Sequence, residues 1–238
     1  MIFAAGLGTR LKPITENKPK ALVTVNGIPM LELLIRKLTG IGITNMIINV
    51  HHFAGQVIEF LDRNDRFGID ITVSDESDLL LDTGGGLKKA AWFFDDAEDF
   101  LVHNVDVISN IDLTKMIAFH KKSNNLSTLA VRSRKSGQYL LFDENNILCG
   151  WRNVKTGEKI QVKETGKIQE LAFSGIHVMN PRLLSCMAED GKFSIINTYL
   201  RLAESESIMG YRHDSSYWFD IGRTDQLAEA AKILQDKT

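Results

Sequence analysis

Cysteine is scarce. Of 238 residues only two are Cys, Cys149 and Cys186, far apart and in no Cys-x-x-Cys or Cys/His cluster. That excludes a disulfide framework and a structural zinc site and leaves reduced thiols. Charge of one sign is scarce too: the formal net charge is −2, with no long run of like charge. A polyanion-binding face is excluded, and with it a nucleic-acid partner, so any phosphate chemistry must rest on a few placed cations. No apolar run approaches the ~20 residues that span a bilayer. The opening Met1-Ile-Phe-Ala-Ala-Gly6 lacks the basic and apolar regions of a signal peptide. The reading is a cytoplasmic chain with no membrane partner, and no repeat or low-complexity tract divides it.

What is present is the ordinary balance of a globular protein, 44% hydrophobic and 24% charged residues. Short apolar runs at residues 1–5, 45–50, 69–73 and 100–102 suit strands buried on both faces. Helical periods lie between them. Pro29 suits a first helical position, followed by Met30, Leu31, Leu34, Ile35 and Leu38 on one face. Asp112 suits an N-cap for a helix burying Leu113, Met116, Ile117 and His120. From about Leu126 the pattern turns to short strands, at 128–131, 139–142 and 172–178, separated by turn-rich stretches. Two helices close the chain, near 194–203 and 224–234. The expected fold is α/β, a Rossmann-like open, mostly parallel sheet with helices on both faces and a small β-rich lobe inserted. One domain is expected over 1–238, with parts at 1–125 and 126–238.

The most informative segment is Phe3-Ala-Ala-Gly6-Leu-Gly8-Thr9-Arg10-Leu-Lys12-Pro13. Small residues after a buried strand let backbone N–H groups approach an anion. A dinucleotide fingerprint fails, because Leu11 stands where the third glycine belongs and Pro13 opposes a continuing helix. A P-loop fails for want of Gly-Lys-Ser/Thr. What remains is a Gly-x-Gly-Thr-Arg loop followed by Lys18-Pro19-Lys20. Arg10 offers a fork of donors for paired phosphate oxygens, and Lys20 a compact charge for one.

The segment resembles the signature of the sugar-1-phosphate nucleotidyltransferase family at Ala4, Ala5, Gly6, Gly8, Thr9, Arg10, Pro19 and Lys20. The resemblance implies that Ala5, Gly6, Gly8 and Thr9 wrap a nucleoside triphosphate. It implies that Arg10 meets the departing pyrophosphate and Lys20 bridges the α-phosphate and the sugar phosphate. Nucleotidyl transfer is mainly alignment and charge neutralisation, which calls for Mg²⁺ and carboxylate ligands. Asp106, after Phe100-Leu-Val102, and Asp220, after Tyr217-Trp218-Phe219, stand where apolar strands end. They match the family's two metal aspartates, with Val105 in place of the usual glycine and Asn104 on the substrate side.

Leu81-Asp82-Thr83-Gly84-Gly85-Gly86 resembles the base-binding segment of N-acetylmuramate 1-phosphate uridylyltransferases, with Asp82 for glutamate. Asp82, Gly84 and Gly85 are then expected to read the base, and UTP is the expected nucleotide. Ser174 and Gly175 match a strand lining the acceptor pocket. Lys163 and Lys167 are candidates for a second phosphate lysine by position alone, and His51 and His52 follow a strand end. The expected reaction joins UTP to a sugar 1-phosphate, N-acetylmuramic acid 1-phosphate by preference, in recycling of cell-wall sugar. The expected assembly is a monomer or small homo-oligomer. Two alternatives stay open: a guanylyl- or cytidylyltransferase acting on mannose, heptose or a phosphoalcohol, and a catalytically inactive nucleotide-sugar sensor.

Overall fold

A computed structural model of the chain describes residues 1–235. The first part runs β1 (Ile2–Phe3), β2 (Thr24–Val25), β3 (Ile28–Pro29), α1 (Met30–Thr39), β4 (Asn45–Val50), α2 (Ala54–Arg63) and β5 (Asp70–Asp75). Next come α3 (Asp82–Lys89), β6 (Phe100–Asn104), β7 (Val107–Ser109), α4 (Leu113–Ser123) and β8 (Ser127–Arg132). The strands β9 (Gln138–Phe142), β10 (Leu148–Asn153), β11 (Lys159–Gln161) and β12 (Gln169–Met179) follow. The last are α5 (Arg182–Ser185), α6 (Ile195–Leu202), β13 (Ile208–Arg212), β14 (Trp218–Asp220) and α7 (Thr224–Gln235). Among the described residues no helix is long and apolar enough to cross a membrane.

Two compact units form. Among the described residues the first holds Met1–Leu81, His103–Asn110 and residues 217–235; the second holds Asp82–Val102 and Ile111–Ser216. The first unit carries the parallel sheet. Met46 through Val50 of β4 are all buried, so the strand needs cover on both faces and partners on both edges. It pairs in parallel with β1, Ile2 opposite Ile48, and with β5, Met46 opposite Ile71. On its other edge β1 takes the end of β6, with Ile2 opposite His103. α1 buries Met30, Leu31, Leu34, Ile35 and Leu38, the stripe its period dictates. Pro29 stands one residue earlier than expected, at the extended N-cap, where a fixed φ and a missing N–H fit equally well.

A second apolar cluster in this unit governs the site. Leu11, Val23, Val25, Met30, Ile221 and Ala230 are buried together, with Ile108, Phe219, Leu227 and Leu234 against them. Leu11 and Ile221 are each 0% exposed and directly follow Arg10 and Asp220. Each anchors a polar neighbour that stays at the surface of the cluster. Burying a leucine or isoleucine fully contributes about 1.5–3 kcal/mol.

The second unit is largely antiparallel. Its strands run in the order β11-β10-β9-β12, and β8 joins β12 to β13. β13 lies parallel to β8, Ile208 opposite Ser127. β12 slips register between Phe173 and His177, where Gly175 takes a φ of 71°. α4 begins as expected: the Asp112 side chain accepts from the Lys115 N–H at 3.0 Å.

Candidate active site

The strand signal at residues 1–5 resolves into only two ladder residues, because the chain turns away at Ala4. There the Ala4 N–H donates to Asn49 Oδ1 at 2.7 Å. A loop of residues 4–12 follows, with Gly6, Thr9 and Arg10 exposed. Gly8 takes φ 65° and caps the short turn Thr9–Leu11. An added Cβ there would meet Thr15 Cγ2 at 3.0 Å and Lys20 Cβ at 3.1 Å, so only glycine lets the loop lie against Lys20. The Thr15 hydroxyl donates to the Gly8 carbonyl at 2.8 Å and holds the loop down.

Lys20 opens the turn Lys20–Leu22 and is only 7% exposed. Its ammonium forms an ion pair with Asp106 Oδ2. Asp106 lies between β6 and β7, and β7 pairs antiparallel with β14 so that Asp220 faces Val107. The Ile221 N–H donates to the Asp106 carbonyl at 2.9 Å. The two expected metal aspartates therefore stand at one end of the β7–β14 ribbon, Asp106 just before β7 and Asp220 at the end of β14. Val105, the departure from the family pattern, turns its side chain inward and is 4% exposed. Arg10 completes the group. A Cβ on Gly222 would stand 2.7 Å from Arg10 Nη2, so the guanidinium lies flat against the backbone two residues past Asp220.

Two polar residues absent from the sequence reading belong to this region. Asn49 and Glu76 are 2% and 1% exposed. Asn49 Nδ2 donates to Glu76 Oε1 at 2.7 Å, and the Leu81 N–H donates to Glu76 Oε2 at 3.1 Å. An asparagine inside Met46-Ile-Ile-Asn49-Val50 was the available signal, since a polar side chain in a buried strand needs a partner. His51 hydrogen-bonds the Glu76 carbonyl through Nδ1 at 2.6 Å, a structural role, and His52 packs against Phe53.

In the second unit Asp82 takes φ 61° at the start of α3, and its carboxylate accepts from the Thr83 N–H at 2.6 Å. Gly84 and Gly85 do not stand open to a ring. Both are buried, and their N–H groups donate to the Phe193 carbonyl at 2.9 and 3.3 Å. Both backbone donors are thus taken by Phe193, and the close approach that Gly84 permits is to that residue. Ser174 is 0% exposed, and its hydroxyl and His213 Nε2 hydrogen-bond at 2.7 Å. Gly175 is buried beside it. Next to Ser174 on β12, Phe173 is half-buried and lines a cavity of about 170 Å³ with Gln138, Tyr139, Trp151 and Ile196. Lys163 donates to the Glu206 carbonyl at 3.3 Å, whereas Lys167 is exposed. Asn104 ends β6, half-buried, in the first unit.

A glycine loop at the end of a parallel strand, two placed cations and two strand-end carboxylates define a phosphate-handling α/β protein. The nucleotidyl transferase family model matches residues 1–237, and the chain belongs to that family. It is an enzyme of the sugar-1-phosphate nucleotidyltransferase kind. It is 28% identical to N-acetylmuramate alpha-1-phosphate uridylyltransferase of Caulobacter vibrioides, over 99% of this chain and 96% of that one. It is 26% identical to mannose-1-phosphate guanyltransferase of Yarrowia lipolytica, over 94% of this chain but only 60% of the relative. The crystal structure of HddC from Yersinia pseudotuberculosis shares the fold, with a TM-score of 0.77, 22% identity and coverage of 98% and 97%.

Proposed function

We propose that the chain transfers the uridylyl group of UTP to a sugar 1-phosphate and releases pyrophosphate, with N-acetylmuramic acid 1-phosphate as preferred acceptor. The observation that carries the chemistry is the convergence of Arg10, Lys20, Asp106 and Asp220 within one unit. The segment Leu81-Asp82-Thr83-Gly84 and the similarity to the Caulobacter enzyme along nearly the whole of both chains support the choice of UTP.

A sugar-phosphate oxygen attacks the α-phosphorus and forms the new P–O bond. The bond from the α-phosphorus to the bridging oxygen of the β-phosphate breaks, and its electron pair leaves with pyrophosphate. The attacking phosphate ionises a second time near about pH 6, so it needs no general base. Arg10 pairs the oxygens of the leaving pyrophosphate, and Lys20 supplies a buried positive charge to the α-phosphate and the acceptor. Asp106 and Asp220 fit a magnesium ion: both are hard carboxylates at one end of the β7–β14 ribbon, and Asp106 already holds a cation, the Lys20 ammonium. Bound there, the metal would neutralise charge on the phosphates. The guanylyltransferase reading is supported by the 26% identity to the Yarrowia relative, close to the 28% of the uridylyltransferase.

Pyrophosphate release from UTP, dTTP, CTP and GTP across a panel of sugar 1-phosphates tests the proposal. UTP with N-acetylmuramic acid 1-phosphate should lead, with dTTP within roughly 10–200-fold because it differs by one methyl. EDTA should abolish the signal. A lead for GTP with mannose or heptose 1-phosphate overturns the base assignment, and no release with any pair returns the chain to the sensor reading.

A further inference from the structure

Ala4 is the first residue of the phosphate loop, and Leu81 immediately precedes Asp82. Between them runs an unbroken chain of three hydrogen bonds: Ala4 N–H to Asn49 Oδ1, Asn49 Nδ2 to Glu76 Oε1, and Leu81 N–H to Glu76 Oε2. Asn49 faces Phe3 across the β1–β4 ladder, so its side chain takes the Ala4 N–H where the ladder ends. Glu76 follows β5 directly, and its own N–H donates to the Val50 carbonyl at 2.8 Å. Both side chains are almost wholly buried, and Glu76 forms no ion pair among the described residues.

We infer that Asn49 and Glu76 are positioning residues for nucleotidyl transfer, a strut that fixes the loop after β1 relative to the chain at Leu81. The polarity of the strut admits one arrangement. The Ala4 N–H needs an acceptor, which turns the Asn49 amide nitrogen toward Glu76. Residue 76 then meets donors on both sides, and only an ionised carboxylate accepts from both. A glutamine there would set its NH₂ against a donor and leave a buried polar group unpaired. An aspartate at 49 beside Glu76 would set carboxylate against carboxylate. The double exchange, Asn49→Asp with Glu76→Gln, restores all three bonds with the middle one reversed. Asp accepts from Ala4 and from the glutamine NH₂, and the glutamine oxygen accepts from Leu81.

The inference rests on nucleotidyl transfer and not on UTP, so the experiment uses whichever nucleotide gives the highest kcat/KM in the panel. Wild type, Asn49→Asp, Glu76→Gln and the double exchange are assayed at a temperature where thermal unfolding shows each fully folded. Displacement of reacting groups by about 1 Å costs on the order of 100-fold in rate. Each single variant should therefore lose about 10- to 100-fold in kcat/KM for the nucleotide, with KM for the sugar phosphate within threefold. The double exchange should return to within about threefold of wild type. Folded single variants with near-wild-type kcat/KM overturn the inference and leave a purely structural network. A folded double variant as slow as the singles overturns the polarity argument on which it rests.

Discussion

Arg10 is exposed, and its guanidinium lies against the backbone of Gly222, where an added Cβ would stand 2.7 Å from Nη2 and 2.8 Å from Cζ. The Gly222 N–H is held from the other side by Gln226 Oε1 at 3.1 Å and by the Asp220 carbonyl at 2.7 Å. The backbone cannot readily retreat, so an added methyl must move the guanidinium. Because the displaced atoms are the far end of a flexible side chain, Gly222→Ala should cost little stability. It should cost catalysis instead, about 10- to 100-fold in kcat, by the same sensitivity to small displacements. Steady-state kinetics alongside thermal unfolding separates the two. A variant with unchanged kcat would show that the Arg10–Gly222 contact has no part in turnover. The glycine two residues past Asp220 is thus explained by Arg10, far away in the sequence.

Elements whose identity depends on local pattern were legible. The run at 45–50 is β4, Asp112 caps α4, and the helix expected at 224–234 is α7. The turn at residues 6–11 was legible for the same reason, since the glycine spacing carries its conformation in the sequence. What escaped depends on distant partners. β10 carries Cys149, Gly150, Arg152 and Asn153, which show no strand alternation. It is a strand because β9 and β11 flank it, and Gly150 permits that approach, with Gln161 Cα 3.2 Å from an added Cβ. Glu76 escaped because Asp75-Glu76-Ser77-Asp78 reads as a solvated acidic turn, and only the fold buries its second member. The contact of the α3 glycines with Phe193 also depends on a distant partner, and it gives a prediction. A Cβ on Gly84 would stand 2.9 Å from the Phe193 carbonyl oxygen, and rotating a side chain does not relieve contact with backbone. Gly84→Ala should destabilise the fold by about 1–3 kcal/mol, the usual cost of overpacking. Urea unfolding measures it, and an unmoved midpoint would mean that α3 and the chain at Phe193 are not tightly joined.

Across the molecule, histidine burial sets how stability responds to acid. His103 is 0% exposed, and burial, with the Lys37 ammonium nearby, pushes its imidazole down to about 3. His213 is 3% exposed, and burial, aided by Arg132 and opposed by Asp214, pushes it down to about 4. Burial also lowers His120, against the opposing pull of Asp99. Unfolded histidines titrate near 6.5. Between that value and the folded ones the unfolded chain binds protons that the native chain refuses, so stability falls as pH falls. Each fully titrating histidine contributes up to about 1.4 kcal/mol per pH unit. Between pH 6 and 5 the first two should together remove about 2 kcal/mol of unfolding free energy, with His120 adding in the same direction. Most carboxylates remain ionised in that window, which isolates the histidine contribution. His213→Gln keeps a hydrogen-bonding partner for the Ser174 hydroxyl while removing the titration. It should therefore reduce the loss between pH 6 and 5 by about 1 kcal/mol in urea unfolding. Stability that stays level or rises from pH 6 to 5 would mean that these histidines accept protons inside the native fold, against the cost of charging them where water does not reach.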